Sequence, residues 1–284
     1  MTAQNGCDAD ENIIQNQGDA GALRGCSTIS GDVIIAPQFR GNVQLDGVQK
    51  INGNLNCTNS FGTTGISAGD LGSIGKGFIL TNLTTLSNLV FPELTAVDSI
   101  QWQALPALQN LTFGAKVTKA NNVLVSNTQL QSLQGIDLEK VENFNINNNP
   151  YLTSLDLQIS NITTSLTVQA NSKNLIADFP NLVTALNMTF RNCSEVKLPV
   201  LGTVNGSLIF DDNFFQTFTA PNLTETGDIV FVGNPDLKNI SLPQLTTIGG
   251  GYIIANNSKL MVIDGFRKLK TVDGAIDFSG NFTK

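Results

Sequence analysis

The segments GSLIFDDN (206–213), GDIVFVGN (227–234), GYIIANN (251–257) and GAIDFSGN (274–281) are variants of one phrase. Each holds an apolar-x-apolar triplet preceded by Gly or a small polar residue, with an Asn three places after the second apolar member. Going backwards, the triplet recurs at Met188, Leu166, Phe144, Val123, Ile100, Phe78, Leu55 and Val33, at intervals of about 20 to 24 residues, the spacing of a solenoid. A second phrase follows the triplet and ends in Pro-x-Leu: LSNLVFPEL from Leu86, LKNISLPQL from Leu237 and, more loosely, FFQTFTAPNL from Phe214. Each rung therefore contains two or three short strands joined at corners.

One rung of roughly 22 residues cannot bury its own apolar side, but stacked rungs share a continuous interior. Side chains alternate along a strand, so both apolar members of a triplet face inward and the middle one outward. The expected fold is all-β: a right-handed parallel β-helix or solenoid of about twelve rungs. Residues 1–30 are expected to form an N-terminal cap and 31–284 the solenoid, the last phrase stopping partway through a rung as in a truncated array. Asn149, Asn171, Asn213, Asn234, Asn257 and Asn281 fall at one corner. Stacked amides there can bond along the axis, and Asn tolerates the left-handed backbone that corners need.

The chemistry excluded by composition is broad. Lys and Arg total 16 against 23 acidic residues, so the basic footprint of nucleic-acid binding is missing. No apolar run approaches the roughly 18 to 20 residues of a membrane-spanning helix, and MTAQNGCDADEN at the start lacks the basic and apolar regions of a signal peptide. The histidine count of 0 removes the commonest general base and neutral metal ligand together, and Cys7, Cys26, Cys57 and Cys193 include no C-x-x-C pair. No cofactor or metal is expected. Polysaccharide-cleaving β-helices need converging carboxylates. In this register Asp211 stacks near Arg191 and Val232, Asp212 near Gly233, Asp228 near Ser207, and Glu225 near threonines, with Asp211 and Asp212 expected on opposite faces. No catalytic residue is assigned. Of the one Trp and two Tyr, Trp102 and Tyr252 fall on core columns, leaving Tyr151 exposed, so no flat Trp or Tyr platform for a glycan emerges.

The stretch from Cys7 to Ile35, with Cys26 in GCSTISGDVII, resembles the opening of receptor L domains, the leucine-rich-repeat-related ligand modules of insulin- and growth-factor-receptor ectodomains. FPELTAVDSIQWQALPALQNLTF from Phe91, NITTSLTVQAN from Asn161, NMTFRNCSEVKLP from Asn187 and SLIFDDNFFQTFTAPNLT from Ser207 are closer still to fungal GPI-anchored cell-wall-organisation glycoproteins with receptor-L-like repeats. The resemblance covers nearly the whole chain. It implies a non-enzymatic protein of the cell surface or cell wall, needed for wall organisation and integrity. Its partners would be wall polysaccharide or wall glycoproteins, and it would meet the membrane only through a lipid anchor. It also implies that Cys7 pairs with Cys26 to cap the first rung, a pairing that suits an oxidising compartment. Cys57 and Cys193 lie about six rungs of roughly 4.8 Å apart and are expected to stay reduced. A receptor-like ligand-binding ectodomain is the alternative function, and a β-helical carbohydrate-active enzyme a more remote one.

Asn-x-Ser/Thr sequons occur at Asn56, Asn82, Asn110, Asn161, Asn187, Asn192, Asn205, Asn222, Asn239, Asn256 and Asn281. That is roughly twice the number chance would give in a chain of this composition, which supports N-glycosylation, although a period-locked Asn corner generates part of the excess. The outward column of the repeated strand is mostly polar, as a solvated sheet requires. Ile209, Val230 and Ile253 break it on three successive rungs, an apolar strip that marks an expected contact surface.

Overall fold

A computed structural model describes residues 6–283, so the first five residues of the expected cap and Lys284 lie outside it. Among the described residues the chain is β throughout except for a five-residue helix, Gln17–Gly21, capped by the Asn16 side chain. The strands pair in parallel and stack as a β-solenoid of about 12 turns, as the repeat requires. They fall into two compact units, Met1–Leu138 and Glu139–Lys284.

In the first unit the triplet strands are Glu11–Ile14, Asp32–Ile35, Leu55–Thr58, Ser73–Thr81, Ala96–Leu105 and Asn122–Thr128. Their register sets Val33, Leu55, Phe78, Ile100 and Val123 in one inward column. Glu11–Ile14 continues the stack beyond Val33, with Asn12 paired to Val33 and fully buried where other rungs carry an apolar residue. Gly41–Gln44, Thr63–Ser67, Asn88–Val90 and Asn110–Thr112 form a second parallel sheet. Trp102 fills the interior edge-on to Phe78 and Phe113.

In the second unit the long strands are Lys140–Asn147, Asn161–Gln169, Thr184–Arg191, Thr203–Asp211 and Glu225–Val232, followed by Tyr252–Ala255 and Ile276–Ser279. Phe190, Phe210 and Phe231 occupy one buried column and stack with ring centroids 5.6 Å and 4.7 Å apart. Each buried ring contributes on the order of 2 to 3 kcal/mol by burial, and each ring contact about 0.5 to 1.5 kcal/mol more.

One corner repeats with a fixed backbone. Asn59, Asn82, Ala104 and Asn127 in the first unit, and Asn148, Ala170, Asn192, Asp212, Gly233 and Asn256 in the second, all have positive φ. The left-handed residue is thus the one before the Asn column, because the chain turns first and the next side chain then points inward. In the second unit that side chain builds the expected amide ladder. Asn149 N and Nδ2 donate to Asn171 Oδ1 at 3.0 Å and 3.1 Å. Asn213 does the same to Asn234, and Asn234 to Asn257. The column has a gap at Cys193, whose own N–H donates to Asn213 Oδ1. Asn281, expected as a member, is exposed and donates to Ser258 O instead.

A second recurrent device sits near the start of the long strands, where the ladder bulges: at Val97/Ser99, Val141/Asn143, Ile162/Ser165, Ala185/Met188 and Val204/Ser207. Side-chain oxygens there accept main-chain N–H groups of the next rung. Asp32 accepts from Asn54 N, Asn54 from Gly77 N, Asn187 from Ser207 N and Asp228 from Gly251 N. The Ser207 hydroxyl and Gly251 N–H hold the Asp228 carboxyl below the ordinary carboxylate range.

Candidate functional surface

Asp211, Asp228 and Glu225 have the expected neighbours: Asp211 is in register with Arg191 and Val232, Ser207 donates to Asp228 at 2.7 Å, and Glu225 lies between Thr203 and Thr247. Asp212 lies beside Gly233 as expected, but its direction differs from expectation. Its positive φ turns the side chain back, so Asp211 and Asp212 both reach Arg191, at 3.4 Å and 2.7 Å, rather than pointing to opposite faces. Burial and the nearby Asp212 raise the Asp211 carboxyl while Arg191 opposes them. Arg191 thus bridges two carboxylates of the next rung.

The cysteines separate by environment. Cys7 and Cys26 form a disulfide, and Ser30 N donates to Cys7 O nearby, fastening the chain ahead of the strand Asp32–Ile35. Cys57 and Cys193 are free, and burial pushes both thiols up to about 12. Such thiols behave as small apolar core residues rather than nucleophiles.

The sequons divide by what their asparagines already do. Asn110, Asn205 and Asn239 are exposed; Asn110 and Asn239 open short strands, and Asn205 sits in a bulge. Asn222 is exposed and donates to Pro199 O, and Asn281 donates to Ser258 O. Asn82, Asn192 and Asn256 are left-handed corner residues, so the turn itself accounts for an Asn there. Asn187 is occupied on both sides, its Nδ2 donating to Thr164 O and its Oδ1 accepting from Ser207 N. Asn56 is half-buried and accepts from the Thr58 hydroxyl. Asn161 is half-buried at the start of its long strand.

Ile209, Val230 and Ile253 are brought together as expected, paired rung to rung in successive strands. All three are half-buried. Trp102 and Tyr252 are buried and Tyr151 is exposed, as their positions in the repeat require, and Phe61 is exposed as well. No described helix is long and apolar enough to cross a membrane.

Comparison with known proteins gives consistent relatives. The chain is 44% identical over 270 residues to a cell surface GPI-anchored protein of Arthroderma benhamiae, covering 95% of this chain and 70% of that one. It is 44% identical over 275 residues to protein ecm33 of Aspergillus fumigatus, covering 96% and 69%. It is 30% identical over 244 residues to cell wall protein ecm33 of Schizosaccharomyces pombe, covering 84% and 58%. No protein-family model matches the chain. No solved structure matches it either.

Proposed function

Because the chain belongs to the fungal Ecm33 family of GPI-anchored cell-surface and cell-wall proteins, we propose that it organises the wall without catalysis, by presenting solenoid faces that hold wall components. It is a protein of the cell surface with a role in wall organisation. What supports the non-catalytic reading is that the relatives are named as cell-wall and cell-surface proteins, and that three outer carboxylates are engaged between rungs. Asp211 and Asp212 are tied to Arg191, and Asp228 is spent on Ser207 and Gly251 N–H. Those carboxylates serve rung stacking. The partners in this reading are wall polysaccharide or wall glycoproteins. Exposed glycosylated asparagines would keep much of the surface hydrated, and the strip Ile209, Val230 and Ile253 would supply a local apolar contact.

The test is complementation. Fungal cells lacking the protein should regain resistance to wall-binding dyes when the anchored protein is restored, and equally with Asp211→Asn or Asp228→Asn. A folded variant that fails to restore resistance, together with cleavage of β-glucan or chitin by the purified wild-type chain, would overturn the reading.

A further inference from the structure

Within the second unit the short-strand side is interrupted. Ser154–Asp156, Ile176–Asp178 and Glu195–Lys197 form one parallel sheet, and Thr217–Thr219 and Asn239–Ser241 form another. No ladder joins Glu195–Lys197 to Thr217–Thr219. The cause is chain length at the corner. Four residues separate Asn149, Asn171 and Asn234 from the short strand that follows each, and three follow Asn213, but Ser194 alone separates Cys193 from Glu195. Ser194 N and Oγ both bond Leu175 O at 2.9 Å, holding this short strand against the preceding rung. The next rung remains attached at the corner, through Phe214 N to Cys193 O at 2.8 Å. The rungs therefore stay joined at the corner and part along the short strands.

The parting leaves a groove of about 490 Å³, within the size range of small-ligand sites. Asp178, Glu195 and Lys197 line it together with Thr217 and Thr219. Lys197 Nζ stands 3.6 Å from Asp178 Oδ2 and 3.8 Å from Glu195 Oε2, too long for tight hydrogen bonds, so the three charged groups keep capacity for a ligand. With two carboxylates and one ammonium, the groove carries net negative charge and disfavours a polyanion. An apolar ligand would strand those charges without partners. A neutral polyhydroxylated chain meets both conditions, since its hydroxyls donate to carboxylates and accept from lysine and threonine. Pro180, Pro199 and Pro221 add ring faces against which the C–H faces of sugar rings can pack. The three short strands that line the groove carry no sequon, but two sequons border it: Asn222, which follows Pro221 and donates to Pro199 O, and Asn239, in register with Thr217.

We infer that this groove binds a neutral oligosaccharide segment, an assignment that rests on the wall reading above and gives it a place on the molecule. The test is calorimetric titration of the 284-residue chain with hexasaccharides of β-1,3-linked glucose, α-1,6-linked mannose and β-1,4-linked N-acetylglucosamine, with a heparin hexasaccharide as the polyanion. One neutral hexasaccharide should bind saturably. Its affinity should fall at least tenfold in a variant combining Lys197→Ala, Thr217→Ala and Thr219→Ala, and also in Thr217→Arg, which fills the groove from an exposed position without touching the core. Absence of saturable neutral binding, binding that both groove variants leave unchanged, or preference for heparin would overturn the assignment. Wall retention of the same proteins, measured in parallel, separates the two claims. A retained wild-type protein whose groove binds none of the neutral sugars sinks the groove alone, while a wild-type protein that the wall does not retain sinks the wall reading.

Discussion

Replacing Asn234 by Ala removes the central rung of the amide ladder. Asn234 is fully buried. Its Oδ1 accepts from Asn213 N at 2.9 Å and Asn213 Nδ2 at 3.0 Å, and its Nδ2 donates to Phe210 O, Val232 O and Asn257 Oδ1. The substitution leaves two N–H groups without their acceptor in a site closed to solvent, at about 1 to 3 kcal/mol each, while the three acceptors lose a donor with smaller consequence. The expected loss is about 3 to 5 kcal/mol. Exposed Asn174→Ala is the control and should stay within about 0.5 kcal/mol. Urea unfolding gives the global value. Because stacked rungs couple mainly to their neighbours, hydrogen exchange should also show protection lost first at Phe210, Asn213 and Val232. A loss below about 1 kcal/mol, or equal to that of the control, would show that the ladder does not hold the corner and that apolar stacking alone suffices.

Further outcomes follow from the same geometry. Ala170 is exposed and left-handed, a conformation that costs an L-residue about 1 to 2 kcal/mol, so Ala170→Gly should stabilise the chain by about 0.5 to 1 kcal/mol in the same urea assay; destabilisation would contradict it. With thiols raised to about 12, Cys57 and Cys193 in the folded chain at pH 8 should react with a disulfide reagent about three orders of magnitude more slowly than in the urea-unfolded chain, and comparable rates would refute their burial. Isotope-labelled deglycosylation and peptide mapping should find sugar at Asn110, Asn205 and Asn239 and little at Asn56 and Asn187; the reverse pattern would remove the argument from side-chain engagement. Converting Ile209, Val230 and Ile253 together to Thr should leave folding intact and weaken wall retention, and unchanged retention of the folded variant would dismiss the strip as a contact surface.

The period, the parallel stack and the inward columns were legible because each is written in apolar spacing, the signal least sensitive to context. Asn12 was not, since a buried asparagine on a core column reads as polar until the neighbouring rung shows what it pairs with. The left-handed residue was placed one position late because Asn148, Asn149 and their neighbours are nearly all asparagine, and sequence gives no phase within such a run. Asp212 was misdirected for the same reason: strand alternation was carried one residue past the point where positive φ ends it. The groove escaped notice although its signal was present. The single residue between Cys193 and Glu195, against four in the preceding rungs, shows only when corners are aligned as carefully as triplets.

The central claim is that the solenoid acts by holding wall components on its surface. In-situ crosslinking of the native protein in intact walls, followed by mass spectrometry of what remains attached, tests it most directly. The account predicts crosslinks from outward residues, foremost Lys197 in the groove, to wall polysaccharide or wall glycoproteins. Recovery of the protein free of wall material, or attached instead to a single soluble protein ligand, would contradict it.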